Sequence, residues 1–232
     1  MSITVNGLAK LTLLDYPGHT AATVFLAGCN MRCPFCHNAP LVTHVHCTEQ
    51  ISEEELRAFF AKRRGLLDGI AVTGGEPTLR HELPRLLSII KEYGYDTKLD
   101  TNGTNPEMLD KLIQGGLVDY VAMDIKNSPS RYAETVGVPD FDMAPVLRSV
   151  ELLREGRVDH EFRTTVVRGL HDEASMEDMG RWLKGESKYF LQNFVDSGAL
   201  IDPDMQGVER EDMRRYLEIV RKYIPTAELR GL

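Results

Sequence analysis

The sequence lacks most features that mark a specialised class of chain. Its longest apolar stretch, Ala21 to Gly28, falls far short of the roughly 20 residues that cross a bilayer, so no membrane association is expected. It has no extended basic run. Its 27 Lys+Arg against 35 Asp+Glu leave a net charge of −8, which disfavours nucleic acid and anionic surfaces. Met1 to Leu14 has neither the charged start nor the long apolar core of a secretory leader, and the expected location is the cytoplasm. No repeat, low-complexity tract or Pro/Ser/Gly-rich linker divides the 232 residues. One domain is expected, with an N-terminal edge segment (1–20), a central body (21–200) and a C-terminal helix and tail (201–232).

Cysteine is scarce as well: Cys29, Cys33, Cys36 and Cys47 are all there is. Three of them are clustered. In a reducing compartment such a cluster binds metal or does redox chemistry rather than stapling the fold.

What the chain does contain is an alternation of strand-like and helical runs. The strand-like runs are Thr23–Ala27, Gly69–Thr73, Thr97–Thr101, Tyr120–Ile125, Glu161–Val167 and Tyr189–Val195, mostly apolar on both parities, as in strands covered on both faces. Between them come apolar stripes at helical spacing. They are Leu56/Phe59/Phe60, Leu83/Leu86/Leu87/Ile90, Met108/Leu109/Leu112/Ile113, Val146/Leu147/Val150/Leu153, Met176/Met179/Leu183 and Met213/Tyr216/Leu217/Val220. These read as core. Ser52 with Glu55 forms a capping-box pattern, and Ser175 with Asp178 a weaker one. Met1–Leu14 is expected as a hairpin at the sheet edge. Six strand–helix units predict an α/β fold: a partial (β/α)6 barrel of the TIM type, with its chemistry at the C-terminal ends of the strands.

The interesting residues fall at those ends. Cys29-Asn30-Met31-Arg32-Cys33-Pro34-Phe35-Cys36 follows the first strand as C-x3-C-x2-C. Three thiolates can hold three irons of a cubane cluster and leave the fourth iron open to a small molecule. The alternative is a structural zinc site, with Cys47 or His46 as fourth ligand. Gly74-Gly75-Glu76-Pro77 follows the second strand, Asp100-Thr101-Asn102-Gly103 ends the third and Asp124-Ile125-Lys126 the fourth. Arg163 lies in the fifth and Gln192 in the sixth. Each has an ordinary explanation as turn chemistry or a solvated strand end. As a set on successive strands they point to one shared site.

The cysteine spacing, with an aromatic before the last cysteine, resembles the signature of the radical S-adenosylmethionine (SAM) superfamily. Gly-Gly-Glu one strand later resembles that superfamily's SAM-amine motif. The resemblance implies a [4Fe–4S] cluster on Cys29, Cys33 and Cys36, and SAM bound by Phe35, Asn38, Gly74, Gly75, Glu76, Pro77, Asp100, Thr101, Asn102, Asp124, Lys126, Arg163 and Gln192. Lys126 and Arg163 suit its carboxylate, Glu76 or nearby carbonyls its ammonium, and Phe35 its adenine. Leu14-Asp15-Tyr16-Pro17-Gly18, Cys36-His37-Asn38 and the Asp-x-Lys step further resemble the activating proteins of glycyl radical enzymes, above all those of anaerobic ribonucleoside-triphosphate reductase. This implies reductive cleavage of SAM to a 5′-deoxyadenosyl radical and hydrogen abstraction from a glycine of that partner. A flavodoxin or ferredoxin would be the electron donor, Lys126 would act in the site, and Asp15 would lie at the barrel mouth facing the incoming glycine loop. Activases of pyruvate formate-lyase carry a histidine near the end of the sixth strand, and Leu191–Val195 has none. The chain also lacks the cysteine-rich insert of two-cluster activases. Two other readings stand beside this one: a small radical SAM enzyme acting on a free metabolite, such as a deazaguanine synthase, and a non-enzymatic zinc or iron–sulfur module.

Overall fold

The computed structural model describes residues 3–196 and 198–231. Its strands are β1 (Thr4–Val5), β2 (Gly7–Thr12), β3 (Ala21–Leu26), β4 (Ile51–Ser52), β5 (Gly69–Gly74), β6 (Asp96–Thr101), β7 (Tyr120–Asp124), β8 (Asp159–Val166), β9 (Tyr189–Asn193) and β10 (Glu228–Arg230). The helices are α1 (Ala39–Thr43), α2 (Glu53–Arg63), α3 (Leu83–Glu92), α4 (Pro106–Gln114), α5 (Tyr132–Val136), α6 (Ala144–Arg154), α7 (Glu173–Trp182) and α8 (Arg210–Arg221). One sheet runs β10-β9-β8-β7-β6-β5-β3-β2, parallel throughout except for β2, which is antiparallel to β3. The six central strands form the partial barrel, and β2 and β10 are its two unjoined edges. None of the described helices is long and apolar enough to cross a membrane.

Parity divides the strands sharply. Val24, Leu26, Ile70, Val72, Leu99, Val121, Met123 and Phe162 are buried in one apolar core with the helices. The other parity faces the barrel interior and carries charge: Lys98 and Asp100 on β6, Asp124 on β7, Glu161 and Arg163 on β8. Lys98 pairs with Asp100 along β6, and Arg163 reaches across to Asp124 on β7 and Asp100 on β6. The expectation of strands mostly apolar on both parities holds for β3 and β5 and is corrected for β6, β7 and β8. The interior of this open barrel is a polar seam, held by alternating charges.

The helices start where local chemistry dictates. Ser52 and Glu55 close a reciprocal capping box on α2. Prolines open α3, α4 and α6, where a missing N–H is harmless. The box expected at Ser175/Asp178 sits one turn earlier: extended Asp172 caps α7 by accepting from the Ser175 amide at 2.8 Å. Leu147, expected in the core, is 39% exposed on α6. The N-terminal segment does not fold on itself as a hairpin. Its β2 adds to β3, while β1 leaves the barrel to pair with β4. The tail contributes β10, an edge strand too short to show a period.

Candidate active site

Cys29, Cys33 and Cys36 line one cavity at the C-terminal ends of the strands, on the loop leaving β3. The loop is pinned at several points. Arg32 N–H donates to the Val136 carbonyl at 2.8 Å, and Cys36 N–H to the Cys33 carbonyl at 3.1 Å. The Arg32 guanidinium folds back on the carbonyls of Cys29 and Met31. Burial raises all three thiol pKa values, that of Cys33 to about 12. They are neutral thiols near pH 7 until a metal supplies positive charge. Cys47 is exposed and is not part of this cavity's lining.

The Gly-Gly pair is dictated by the approach of β5 to this loop. Gly74 has φ +132°, and a Cβ there would meet the Leu26 carbonyl oxygen at 2.1 Å. A Cβ on Gly75 would stand 2.1 Å from the Gly28 carbonyl oxygen. Only glycine lets the two backbones touch. Gly75 N–H donates to the Leu26 carbonyl at 2.8 Å and Glu76 N–H to the Gly28 carbonyl at 2.7 Å. Asn38 Nδ2 donates to the Gly74 carbonyl at 2.8 Å, tying the far side of the cysteine loop to the same turn.

Glu76 does not point into the cavity. Its buried carboxylate accepts from Thr78 N–H, the Thr78 hydroxyl, the Thr101 hydroxyl and Asn102 N–H. Burial pushes its pKa up against those four donors. The glutamate thus binds β5 to the end of β6 and fixes Asn102. Asn102 Nδ2 in turn donates to Asn30 Oδ1 at 3.1 Å and lies 3.9 Å from the Cys29 sulfur. Pro77 begins a 3-10 turn behind it and is likewise absent from the lining.

Opposite the thiols stands a ladder of charge. Lys126 Nζ lies 2.9 Å from Asp124 Oδ2, and Arg163 Nη2 lies 2.9 Å from Asp124 Oδ1 and 3.5 Å from Asp100 Oδ2. Lys98, fully buried, pairs with the other oxygen of Asp100. At the cavity wall two cations, Lys126 and Arg163, meet two carboxylates, Asp100 and Asp124, and Lys98 behind the wall supplies a third cation that shares Asp100. Removal from water would raise the Asp124 pKa, but Lys126 and Arg163 outweigh it and hold the carboxyl well below its usual range. Burial would lower Lys126, and Asp124 reverses that. Phe35, Asn38, Thr101 and Gln192 also line the cavity, with Gln192 Nε2 donating to the Thr165 hydroxyl at 3.2 Å.

Asp15 stands elsewhere, and its expected place at the mouth is corrected. Its carboxylate accepts from Thr23 near the start of β3. Its neighbour Tyr16 packs on Gly69 and Tyr120, the first residues of β5 and β7. This is the end of the barrel opposite the cysteines. Proline-glycine turn chemistry could not show which end of β3 the turn lies against.

Sequence reasoning missed two residues. His37 also lines the cavity, its Nε2 2.8 Å from the Val195 carbonyl and its ring stacked on Phe194. Its place beside Cys36 was the available signal. His171 is buried, accepts from Val167 N–H at 3.1 Å through Nδ1 and reaches the Lys126 carbonyl at 2.9 Å through Nε2. It holds the backbone under Lys126. Burial keeps its pKa below the ordinary 6.5. A lowered folded pKa contributes stability above the unfolded value that is lost as pH falls. Denaturant stability is expected to drop between about pH 7 and 5 with a shallower slope in His171→Gln; equal slopes would show that His171 is not the group titrating.

A radical SAM superfamily model matches residues 23–183, which include the thiol loop, the Gly-Gly turn and the charge ladder. The chain belongs to the radical SAM superfamily. The Methanocaldococcus jannaschii protein MJ1227, named for glycyl-radical enzyme activation, is 33% identical over all of this chain and 98% of its own length. The match places the protein among the glycyl-radical-enzyme activating enzymes. A pyruvate formate-lyase-activating enzyme of Streptococcus mutans is 34% identical over 57% of this chain and 54% of its own. Streptococcus suis SuiB, solved with S-adenosylmethionine, shares the fold at a TM-score of 0.65 and 16% identity, over 88% of this chain and 48% of its own.

A radical SAM enzyme works with a [4Fe–4S] cluster and SAM, and the donor set of this cavity fits both. It offers three thiols. Both aspartates of the ladder are engaged by cations, and the His37 ring is held by Val195 and Phe194. Among the described residues no group of three or more His, Cys, Asp or Glu is placed to hold a single metal ion, and neither Cys47 nor His46 lines the cavity as the fourth ligand that a closed zinc centre needs. Three thiolates leave one iron of a cubane free. The same cavity is lined by bare glycine backbone at Gly74 and Gly75 and by Lys126 and Arg163, groups that would suit the ammonium and carboxylate of a zwitterionic amino acid.

Proposed function

We propose that this radical SAM enzyme is the activase of a glycyl radical enzyme, and that its partner is anaerobic ribonucleoside-triphosphate reductase. The observation that carries the reading is the joining of three thiols, the Gly-Gly backbone and the charge ladder in one cavity. The full-length match to a protein named for glycyl-radical enzyme activation supports the activase branch. By resemblance, activases of pyruvate formate-lyase carry a histidine near the end of the sixth strand, and its absence from Leu191–Val195 argues against that partner.

Cys29, Cys33 and Cys36 would hold a [4Fe–4S] cluster that, reduced by a flavodoxin or ferredoxin, would supply the single electron for cleaving the SAM sulfonium bond to methionine and a 5′-deoxyadenosyl radical. The chain's own part is placement. Lys126 and Arg163 take the SAM carboxylate, sharing their charge with Asp124 and Asp100. Carbonyls of the Gly74–Gly75 turn take its ammonium; Glu76 and Pro77 act by fixing that turn. Asp100, Thr101 and Asn102 face the ribose. Phe35, Asn38 and Gln192 border the adenine and keep water from the reacting carbon.

Lys126→Ala and Arg163→Ala are each expected to weaken SAM binding about 10- to 100-fold, the value of a charge-assisted bond. Cluster content stays intact. Anaerobic calorimetry checks this; wild-type affinity in both variants would place the carboxylate elsewhere. The function itself is tested by incubating reconstituted protein, reductant and SAM with the candidate reductase and recording EPR spectra. A glycyl radical doublet on the reductase is expected. SAM cleavage with no radical on any glycyl radical enzyme would favour a free-metabolite substrate instead.

A further inference from the structure

The charge ladder does not end at Lys98. Glu161 lies on the same inward face of β8 as Arg163, two residues toward the N-terminal end of the barrel. Its side chain is 1% exposed. Each lies within electrostatic reach of the other. An unneutralised carboxylate there would compete with Asp124 and Asp100 for the Arg163 guanidinium.

The chain's last strand removes that competition. Arg230, in register with Gln192 on β9, sends its guanidinium down over the ring of Phe190, 3.4 Å from the centroid. It closes a two-pronged pair on Glu161: Nη1 to Oε1 and Nη2 to Oε2, each 2.7 Å. The Tyr120 hydroxyl adds a third donor at 2.8 Å. Both oxygens of Glu161 are thereby engaged. Arg163 is left to Asp124, at 2.9 Å, and to the cavity.

We propose that Arg230 is a positioning residue for SAM binding, acting through Glu161 to keep Arg163 directed at the carboxylate of the substrate. This rests on the placement of that carboxylate at Lys126 and Arg163. The terminal strand β10 thus does more than cover a sheet edge: it neutralises an interior acid that would pull the binding arginine down the barrel.

The test compares Arg230→Met, Glu161→Gln/Arg230→Met and Arg163→Ala in reconstituted holoenzyme. Methionine keeps the length and the contact with Phe190 while removing the charge. SAM affinity, iron and sulfide content, and thermal midpoint are measured for each. Arg230→Met is expected to bind SAM about 10-fold more weakly with full cluster content. The double variant, which has no unpaired carboxylate, is expected to return to within about threefold of wild type. A merely structural Arg230 would give the opposite, since the second substitution would add damage. Unchanged affinity in Arg230→Met, or no rescue in the double variant, overturns the proposal. Should Arg230→Met fail to fold, Arg230→Gln replaces it in the same comparison with the same outcomes. Wild-type affinity in Arg163→Ala overturns the carboxylate placement itself. Loss in Arg163→Ala without loss in Arg230→Met overturns the role of Arg230 alone.

Discussion

Alanine at Cys29, Cys33 or Cys36 is expected to remove the cluster and, with it, reductive SAM cleavage, a fall to background of at least about three orders of magnitude. The three thiols line one cavity and nothing in its lining can replace one of them. Asp100 and Asp124 are tied to cations, and the His37 ring is held by the Val195 carbonyl and Phe194. Cys47→Ala is expected to keep full cluster content and activity, because Cys47 is exposed and apart from the cavity. Iron, sulfide and 5′-deoxyadenosine are measured for each reconstituted variant. A full cluster in Cys33→Ala, or none in Cys47→Ala, would reassign the ligands.

A single methyl group at Gly75 is expected to do nearly as much harm by a different route. Its Cβ would lie 2.1 Å from the Gly28 carbonyl oxygen, which is backbone and cannot swing aside as a side chain would. Gly28 also accepts from Glu76 N–H and immediately precedes Cys29. Relief of the clash must therefore part the β3 and β5 loops, moving the thiols relative to the amine-binding turn. Overpacking of this kind costs about 3 kcal/mol, which for a domain of this size lowers the midpoint by roughly 6–12 °C. SAM affinity is expected to fall by about 100-fold or more even in cluster-loaded protein, because the loop displacement persists there. Wild-type affinity with only a lowered midpoint would confine Gly75 to a structural role.

The architecture was legible because its signals are local and repeated. Apolar stripes such as Leu83/Leu86/Leu87/Ile90 mark helices that pack one way only, and those four residues are all buried. The thiol loop and Gly-Gly turn were legible because three cysteines within eight residues just past a strand end, and two adjacent glycines after the next strand, have few other uses. What was not legible was direction. Glu76 read as a ligand group, yet its carboxylate turns away to four donors of the protein, a fact set by the contacts of Thr78, Thr101 and Asn102. Asp15 read as a mouth residue, yet β2 runs antiparallel to β3 and returns the chain to the opposite end. Lys98 and Glu161 fall inside the strand-like runs Thr97–Thr101 and Glu161–Val167, with nothing local to single them out. Only pairing across β6, β7 and β8 reveals them as rungs of an interior charge ladder, and only the short β10 brings Arg230 to Glu161.

The central claim is that three cysteines hold a cluster whose free iron faces SAM in this cavity. EPR of the reduced, reconstituted protein during SAM titration tests it most directly. A saturable change in the cluster signal on adding SAM is expected in wild type and in Cys47→Ala, shifted to higher SAM concentration in Lys126→Ala and Arg163→Ala. A reduced cluster signal that SAM leaves unchanged at every concentration in the wild-type protein would contradict it.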